Sequence, residues 1–320
     1  MKITDFTANH IERAIAIAKQ NYEAERRCVP ALPPLNEWPD MTGFAHNNLG
    51  AAAFDGDRML GFLCVWDPWD NAWDMQGLRH LFSPMHGNGT VPENRAKIYA
   101  RLYQAAGEKW ARAGAASHGI CLYAHDTVGQ EQFFRYGFGA RTVDAIRGMD
   151  EIKAPPCEGY TFCEPAPEEV IEILPLENLH MAGYIDSPFF MVRQQDSETG
   201  FWEEYQKVRP VYFLARYNGT AIAYIKAELD GETFIQNTSG YLHVKGLYCL
   251  PEHRGKGVPQ TLLNCLTQKL KSQGYVRLGV DFESFNPSGS GFWHKYFTAY
   301  TYGVVRRIDE SAILKIREGC

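Results

Sequence analysis

The feature that most constrains the fold is an order of structural signals that occurs twice in the 320 residues. In each half, two alternating apolar stretches flank a turn dipeptide, Asp55-Gly56 or Asn218-Gly219, which is typical of a β-hairpin. A strand ending in proline, a glycine loop, a helix, a short strand and a second helix follow in both halves. Two unrelated α/β domains would explain the hairpins but not the shared order, so we infer an internal duplication.

The matched segments lie at similar offsets along the chain. The proline-ended strands are Gly77–Pro84 and Gly246–Pro251, and the glycine loops are His86–Gly89 and Arg254–Gly257. After the second loop, periodic leucines predict a helix from Pro259 to about Gln273. The later strands are predicted at 120–124 and 276–280, and the later helices at 130–138 and 291–297.

A Pro/Gly-rich stretch near the middle, Lys153–Gly159, predicts the domain boundary. We expect a first domain over 1–152, a linker over 153–167 and a second domain over 168–320. A short helix is predicted over Glu168–Leu174, and Pro175 is expected to end it. Each half is long enough to bury its own core, and 45% of the residues are hydrophobic, as in ordinary globular proteins.

Charge and composition exclude several classes of function. There are 32 basic and 38 acidic residues, a net charge of -6, which argues against binding to a nucleic-acid backbone. No apolar run approaches the roughly 20 residues of a membrane helix, and the polar N-terminal residues do not fit a signal peptide. The eight cysteines form no CxxC pair, so we expect reduced thiols, a cytoplasmic protein and no metal site.

The segment from His243 to Leu263 carries the most specific chemical signal. It reads as a strand, a glycine loop and the start of a helix. Gly255 and Gly257 let backbone N–H groups turn toward a ligand, and the helix N-terminus adds partial positive charge. The loop therefore predicts a cradle for a pyrophosphate. It fits neither the Walker pattern GxxxxGK[ST] nor the dinucleotide pattern GxGxxG.

This segment resembles the Gcn5-related N-acetyltransferase (GNAT) family, whose signature is a strand, then [RQ]-x-x-G-x-[GA], then a helix. Arg254 and Gly257 match the first two fixed positions, and Pro259 replaces the third. This proline removes one N–H from the cradle and is expected to hold Val258 extended. The resemblance implies acetyl-CoA as cofactor, with its pantetheine arm on a splayed strand. The implied cofactor contacts are Leu247, Tyr248, Cys249, Arg254, Gly255, Lys256, Gly257, Val258, Pro259, Asn286 and Trp293.

A second family landmark lies downstream, where a strand is followed by an Asn and, seven residues later, by a Tyr. Asn286 matches, but the later position is Trp293. In the family that tyrosine often protonates the departing thiolate, and an indole is far too weak an acid to do so. Tyr296, about one helical turn later, is the candidate acid, and a place in the apolar core is its alternative role.

The resemblance also implies direct attack by the amine in a ternary complex. A backbone N–H of Cys249 or Leu250 would polarise the thioester carbonyl, while the Cys249 thiol is expected to be a buried group and not a nucleophile. Candidates for the base are His243, because imidazole is a common general base, and Glu283, which shares a strand face with Asp281. Ordered water is the alternative base.

The first half resembles a degenerate copy of this arrangement. In the matching above, His86 and Asn88 stand in place of the loop cations, Asp126 stands at the Asn position and Phe133 at the Tyr position. The loss of two cations and the gain of a carboxylate argue against tight CoA binding there.

We therefore expect an α/β (α+β) fold of two tandem GNAT-like domains. Each would be a mixed, mostly antiparallel sheet with flanking helices and a splayed strand pair. The expected function is transfer of acetyl from acetyl-CoA to a primary amine of a small molecule or peptide, with no nucleic-acid or membrane partner. A non-catalytic acyl-CoA sensor is the alternative. The intact Arg254–Gly257 loop argues against a third class, a purely structural scaffold.

Overall fold

The computed structural model describes residues 1–72 and 77–318. Up to residue 148 its strands and helices are β1 (Lys2–Asp5), α1 (Ile11–Cys28), α2 (Thr42–His46), β2 (Ala51–Asp55), β3 (Arg58–Leu63), β4 (His80–Ser83), β5 (Asn88–Thr90), α3 (Arg95–Arg112), β6 (Ser117–Tyr123), α4 (Thr127–Arg135) and β7 (Gly139–Gly148). The remainder are β8 (Tyr160–Cys163), α5 (Leu174–Ala182), α6 (Glu198–Val208), β9 (Val211–Tyr217), β10 (Thr220–Glu228), β11 (Tyr241–Cys249), α7 (Val258–Ser272), β12 (Arg277–Glu283), α8 (Pro287–Tyr296), β13 (Thr298–Arg307) and α9 (Glu310–Glu318).

The chain divides into two compact units. Unit 1 comprises Met1–Asp144 and the segment from Ala299 on, and unit 2 comprises Ala145–Thr298. The C-terminal segment belongs to unit 1 because β13 pairs antiparallel with β6, from Thr301 opposite Tyr123 to Arg307 opposite Ser117. This division differs from the predicted domains 1–152 and 168–320, because patterns along the chain do not reveal a strand that returns to the first unit.

Unit 1 contains a four-stranded sheet in the order β1-β2-β3-β5, and a second set in which β6 pairs with β4 and β13. Helix α3 packs on β2 and β3. It presents Ile98, Leu102, Ala106 and Trp110 at four-residue spacing, and all four are buried. This repeated burial of one helix face holds α3 against the sheet.

Unit 2 is built on strands in the order β12-β11-β10-β9-β8. Helix α7 packs on β9 and β10 through fully buried leucines, including Leu262, Leu266 and Leu270. Burial of each leucine contributes about 2 kcal/mol, so this face fixes the helix and the loop that precedes it.

Strand β11 has two different neighbours. It pairs antiparallel with β10 up to Cys249, but parallel with β12 only from Tyr241 opposite Arg277 to Val244 opposite Val280. Both strands continue past this point without pairing to each other, so a gap opens between them. The predicted splayed strand pair is thereby confirmed in unit 2.

Several local predictions are confirmed, and two are wrong. The Asp55-Gly56 and Asn218-Gly219 turns join β2 to β3 and β9 to β10. Pro175 does not end a helix: α5 begins at Leu174 with Pro175 in its first turn, where a missing N–H costs no helix bond. Val258 is not extended but is the first residue of α7.

The part of the chain that the structure describes gives three further findings. Its seven cysteines are free thiols. Across residues 1–72 and 77–318, no three His, Cys, Asp or Glu side chains group closely enough to hold a metal ion. Within the same ranges, no helix combines the length and apolar character needed to span a membrane.

Candidate functional site

The free edge of β11 carries backbone groups that β10 does not use. The Leu250 N–H donates to the Ile222 carbonyl at 3.0 Å, and Ala223 lies opposite Cys249. Because bonded and non-bonded residue pairs alternate in an antiparallel ladder, the N–H groups of Leu247 and Cys249 point away from β10. Of the two predicted donors, the Cys249 N–H is therefore available to a ligand and the Leu250 N–H is not.

The glycine loop presents a row of unbonded amides. Gly255 and Gly257 have φ values of 74° and 83°, a left-handed conformation that glycine adopts without strain. Within the described chain, the N–H groups of Gly255, Lys256, Gly257, Val258 and Gln260 donate to no protein acceptor. These amides and the α7 dipole favour an anion at the same place.

Pro259 occupies the second position of α7. An N–H at this position would have no partner within the helix, so the proline removes one donor from the cradle without breaking α7. The other side of the loop packs on the predicted linker, since a Cβ at Gly257 would lie 2.4 Å from Pro155 Cγ. Position 257 therefore requires glycine for space as well as for backbone conformation.

The splayed strands, the glycine loop and the α5 region enclose a cavity of about 1040 Å³. This volume is at the upper end of the range for small-molecule sites. Lys256, Gly257, Val258, His243 and Tyr296 are not among its lining residues in the described chain. The predicted residues that line it are Leu247, Tyr248, Cys249, Arg254, Gly255, Pro259, Glu283, Asn286 and Trp293.

Arg254 is held at the start of the glycine loop. Its Nε donates to the Cys249 carbonyl at 2.9 Å, and its guanidinium carbon lies 5.6 Å from the centre of the Tyr248 ring. Burial raises the pKa of the Cys249 thiol to about 11, although the charge of Arg254 opposes this. The thiol stays protonated near neutral pH, as befits a buried group and not a nucleophile.

Two carboxylates at the end of β12 line the cavity and have different partners. Glu283 accepts hydrogen bonds from Arg193 at 3.1 Å and from the Tyr184 hydroxyl at 3.3 Å. Asp281 Oδ1 lies 2.8 Å from His243 Nε2. Although burial opposes ionisation of Asp281, the hydrogen bond from His243 holds the pKa of this carboxyl below its usual range.

His243 lies behind Asp281 and outside the cavity lining. It is only 1% exposed. Its Nδ1 is 2.5 Å from the Tyr241 hydroxyl, and its Nε2 bonds Asp281. With both ring nitrogens bonded, His243 can orient Asp281 but has no free nitrogen for an incoming amine.

Asn286, Trp293 and Tyr296 lie at or within helix α8 but have different surroundings. Asn286 caps the helix by accepting from the Gly289 N–H at 2.8 Å. Trp293 is buried and lines the cavity. Tyr296 packs on Phe292, with ring centres 5.1 Å apart, and lies outside the cavity lining. This contact, together with the partial burial of Tyr296, favours a packing role over the acid role.

One wall of the cavity is formed by α5 and the residues after it, including His180, Tyr184 and Arg193, and was not predicted from the sequence. The His180 ring stacks on Tyr248 with centres 5.5 Å apart. Burial, reinforced by neighbouring cations, lowers the pKa of His180 to about 4, so this ring is uncharged near neutral pH. The sequence signal for this wall was Pro175, because proline is common in the first turn of a helix and could have been taken as the start of α5.

The structure corrects the matching of the two glycine loops. His86–Gly89 leads into and lies partly within β5, and no helix follows it directly. The segment that leads into α3 is Pro92–Lys97, P-E-N-R-A-K, which matches Pro251–Lys256, P-E-H-R-G-K. Each begins two residues after a strand ends. Both loop cations are thus retained in unit 1, as Arg95 and Lys97, but α3 begins at Arg95 and includes them.

In unit 1 the matched arginine is bonded to the protein. Arg95 lies 2.8 Å from Asp126 and also donates to Asn21 and to the Thr90 carbonyl. Asp126 caps α4 by accepting from the Gly129 N–H at 3.0 Å, just as Asn286 caps α8. The predicted match of Asp126 to Asn286 therefore agrees with their structural roles.

In unit 1 the pairing of β4 with β6 ends at Ser83 opposite Ile120, and a side chain of β5 contacts the next residue of β6. Asn88 is buried, and its Nδ2 donates to the Cys121 carbonyl of β6 at 3.0 Å. Its Oδ1 accepts from the Tyr99 hydroxyl at 3.3 Å. These bonds occupy a place where unit 2 has an open strand edge.

A sequence profile of the acetyltransferase (GNAT) family matches residues 177–297. No curated protein sequence matches the chain. A GCN5-related N-acetyltransferase from Sphaerobacter thermophilus is similar in structure, with a TM-score of 0.57 and 14% identity over 96% of this chain and 95% of that one. A GCN5-related glucosamine N-acetyltransferase region of a fungal multi-domain GH3 beta-N-acetylglucosaminidase has a TM-score of 0.53 and 14% identity, over 95% of this chain and 38% of that one.

At this low identity the structural likenesses show the fold, which is that of GNAT proteins along nearly the whole chain. The profile match is more specific, because it spans β11, the glycine loop, β12 and α8, which all contribute to the cavity. Residues 177–297 of the chain thus match the acetyltransferase (GNAT) family in sequence, and nearly the whole chain matches GNAT proteins in fold.

Proposed function

We propose that the protein transfers an acetyl group from acetyl-CoA to a primary amine of a small molecule or peptide, by direct attack in a ternary complex. One observation carries the proposal: an anion-binding loop, a free strand edge and two carboxylates all border the same cavity of unit 2. A pyrophosphate-bearing acyl carrier fits the first two, and an amine acceptor fits the third.

The residues of unit 2 fit acetyl-CoA in the order of its parts. The amides of residues 255–258 and the cation of Arg254 would hold the pyrophosphate. The edge at Leu247 would pair with the pantetheine amides as an added strand does, and the Cys249 N–H would polarise the acyl carbonyl. When bound, acetyl-CoA supplies a thioester, an acyl donor activated toward amines.

The carboxylates of β12 suit the acceptor. Asp281 and Glu283 attract an ammonium group, and His243 fixes the orientation of Asp281. Glu283 keeps lone pairs free beyond its bonds from Arg193 and Tyr184, so it can take the proton that the amine loses. In this account Glu283 is the base and His243 is a positioning residue.

One observation favours a second candidate function, a non-catalytic acyl-CoA sensor. Trp293 stands at the expected acid position, and Tyr296 lies outside the cavity lining. The departing CoA thiolate then has no protein acid beside it to supply a proton. Turnover would require the proton that the amine loses to be carried to the thiolate by another route. Acetyl-CoA binding without turnover of any amine would support the sensor.

The test is thiol release from acetyl-CoA with a panel of amines. The panel includes butylamine, lysine and glucosamine, the last because the similar fungal region is named a glucosamine N-acetyltransferase. With the best acceptor, Glu283→Gln should lower the turnover rate about 100-fold or more, as loss of a general base does, and leave acetyl-CoA affinity unchanged.

Glu228→Gln is the matched control, because Glu228 is another carboxylate that lines the same cavity. It should change the turnover rate by less than about threefold, since the proposal gives it no proton to carry. Equal losses in both variants would show that the cavity needs negative charge in general, and Glu283 would no longer be the base.

A further inference from the structure

Unit 1 holds a second cavity, of about 350 Å³, which the proposed function does not use. It lies among α1, the residues before α3, the end of β6 and the start of α4. Its volume is at the lower end of the range for small-molecule sites. Its polar lining residues include Asn21, Glu25, Arg95, Tyr123, His125 and Asp126.

Glu25 is a buried carboxylate with unused acceptor positions. It is 3% exposed and accepts from His125 Nδ1 at 2.7 Å and from the His125 backbone N–H at 3.2 Å. A carboxylate has about four acceptor positions, so roughly half remain free. Across the described residues no lysine or arginine pairs with Glu25, and the nearby Arg95 is bonded to Asp126.

Tyr123 supplies an independent indication of a ligand. It lines the cavity and is 8% exposed, and its hydroxyl has no hydrogen-bond partner within residues 1–72 and 77–318. Burial, together with neighbours that include Glu25, raises the pKa of Tyr123, so the hydroxyl stays neutral and can accept or donate. Buried hydroxyls are normally bonded, which suggests that a ligand completes this one.

The geometry points to a binding site in unit 1 for a short primary alkylammonium ion. An alkylammonium ion has three N–H donors, and the lining residues Glu25, Tyr123 and Thr127 carry oxygen acceptors for them. A phosphate or carboxylate would instead meet the charge of Glu25, because Arg95 is already paired with Asp126. The apolar part of the lining, which suits a short alkyl chain, is Ala24, Pro92 and Val128. This site goes beyond the proposed function, because it lies in unit 1 and needs no acetyl-CoA.

The experiment uses three probes of equal chain length: butylammonium, butan-1-ol and butyrate. Binding to the full chain is titrated by saturation-transfer NMR without acetyl-CoA. All measurements use a Glu283→Gln background, which removes one of the two carboxylates that the proposed function assigns to amines in unit 2. Binding that remains at the other, Asp281, is recognised because it would not respond to the unit 1 variants below. We expect butylammonium to bind about tenfold or more tightly than butan-1-ol, because a charged hydrogen bond replaces a neutral one, and butyrate to bind most weakly.

Two variants locate the binding. Glu25→Gln should remove the advantage of butylammonium over butan-1-ol. Ala24→Leu should weaken both probes by filling the cavity from an exposed helix position, where leucine is well tolerated, so it decides the question if Glu25→Gln does not fold. Equal binding of butylammonium and butan-1-ol, stronger binding of butyrate, or an advantage that survives Ala24→Leu would each overturn the site.

Discussion

The segments Pro92–Lys97 and Pro251–Lys256 share proline, glutamate, arginine and lysine at matching positions, yet they form different structures. In unit 2, two glycines delay the helix until Val258 and leave the loop amides unbonded. In unit 1, the helix begins four residues earlier in the matched sequence, at Arg95. The difference teaches that the backbone conformation, and not the presence of the cations, makes the anion cradle.

The strand edges beside these loops also differ, because the edge is open in unit 2 and occupied by a side chain in unit 1. In unit 2 the gap between β11 and β12 is part of a large cavity, whereas in unit 1 Asn88 reaches across to β6. Arg95 and Asp126 likewise satisfy each other. At this strand edge, unit 1 bonds its polar groups to one another, whereas the matching edge of unit 2 borders a cavity.

The largest expected effect comes from placing charge in the unit 2 loop. A Cβ at Gly255 would meet no atom within 4 Å, so side chains fit there. Asn and Asp tolerate the left-handed backbone best after glycine and pay a similar conformational cost. Gly255→Asp should weaken acetyl-CoA binding about 100-fold more than Gly255→Asn, because a carboxylate about 5 Å from a phosphate costs about 3 kcal/mol at an effective dielectric constant of about 20.

Calorimetric titration of both variants measures this difference. Equal affinity for acetyl-CoA would mean that the loop does not hold the pyrophosphate, and the contrast between the two loops would lose its functional meaning.

A reciprocal exchange of the helix caps is expected to have a smaller effect. Asp126→Asn keeps a cap acceptor but removes the charge beside Arg95. It should lower the free energy of unfolding by about 2 kcal/mol, less than for a fully buried pair because Arg95 keeps Asn21 and the Thr90 carbonyl. Asn286→Asp also keeps its cap, so stability should change by less than about 0.5 kcal/mol.

Urea unfolding of the two variants provides the measurement. If both variants lose the same stability, the ion pair of Arg95 and Asp126 adds nothing beyond the helix cap. The bonding of these two residues to each other would then not stabilise unit 1.

The smallest expected effect concerns Tyr296. Because it packs on Phe292 outside the cavity lining, Tyr296→Phe should leave the turnover rate within about twofold of the unsubstituted protein. Steady-state rates of thiol release check this. A drop of tenfold or more, with unchanged acetyl-CoA affinity, would restore Tyr296 as the general acid.

The sequence predicted the local parts of this structure better than their assembly. The turns at Gly56 and Gly219 and the helix after Gly257 follow from local backbone preferences, so they are visible in the sequence. The return of β13 to unit 1 depends on strand pairing between distant residues, which no local pattern encodes.

In the candidate site, too, the features that depend on short motifs were predictable from the sequence, and those that depend on three-dimensional packing were not. The loop and the cap at Asn286 follow from short motifs. The bonding of His243 to Tyr241 and Asp281, and the place of Tyr296, depend on packing in three dimensions. The match of Pro92 to Pro251 was visible in the sequence, but the glycines of His86–Gly89 were the more conspicuous and misleading signal.

We propose that, of the two units, only unit 2 binds acyl-CoA. Titration of the full chain with acetyl-CoA by calorimetry tests it most directly. We expect one site per chain, which is lost in Gly255→Asp and unaffected by Asp126→Asn. Two sites of similar affinity would contradict the contrast between the units, and no binding at millimolar acetyl-CoA would contradict the acyl-CoA site itself.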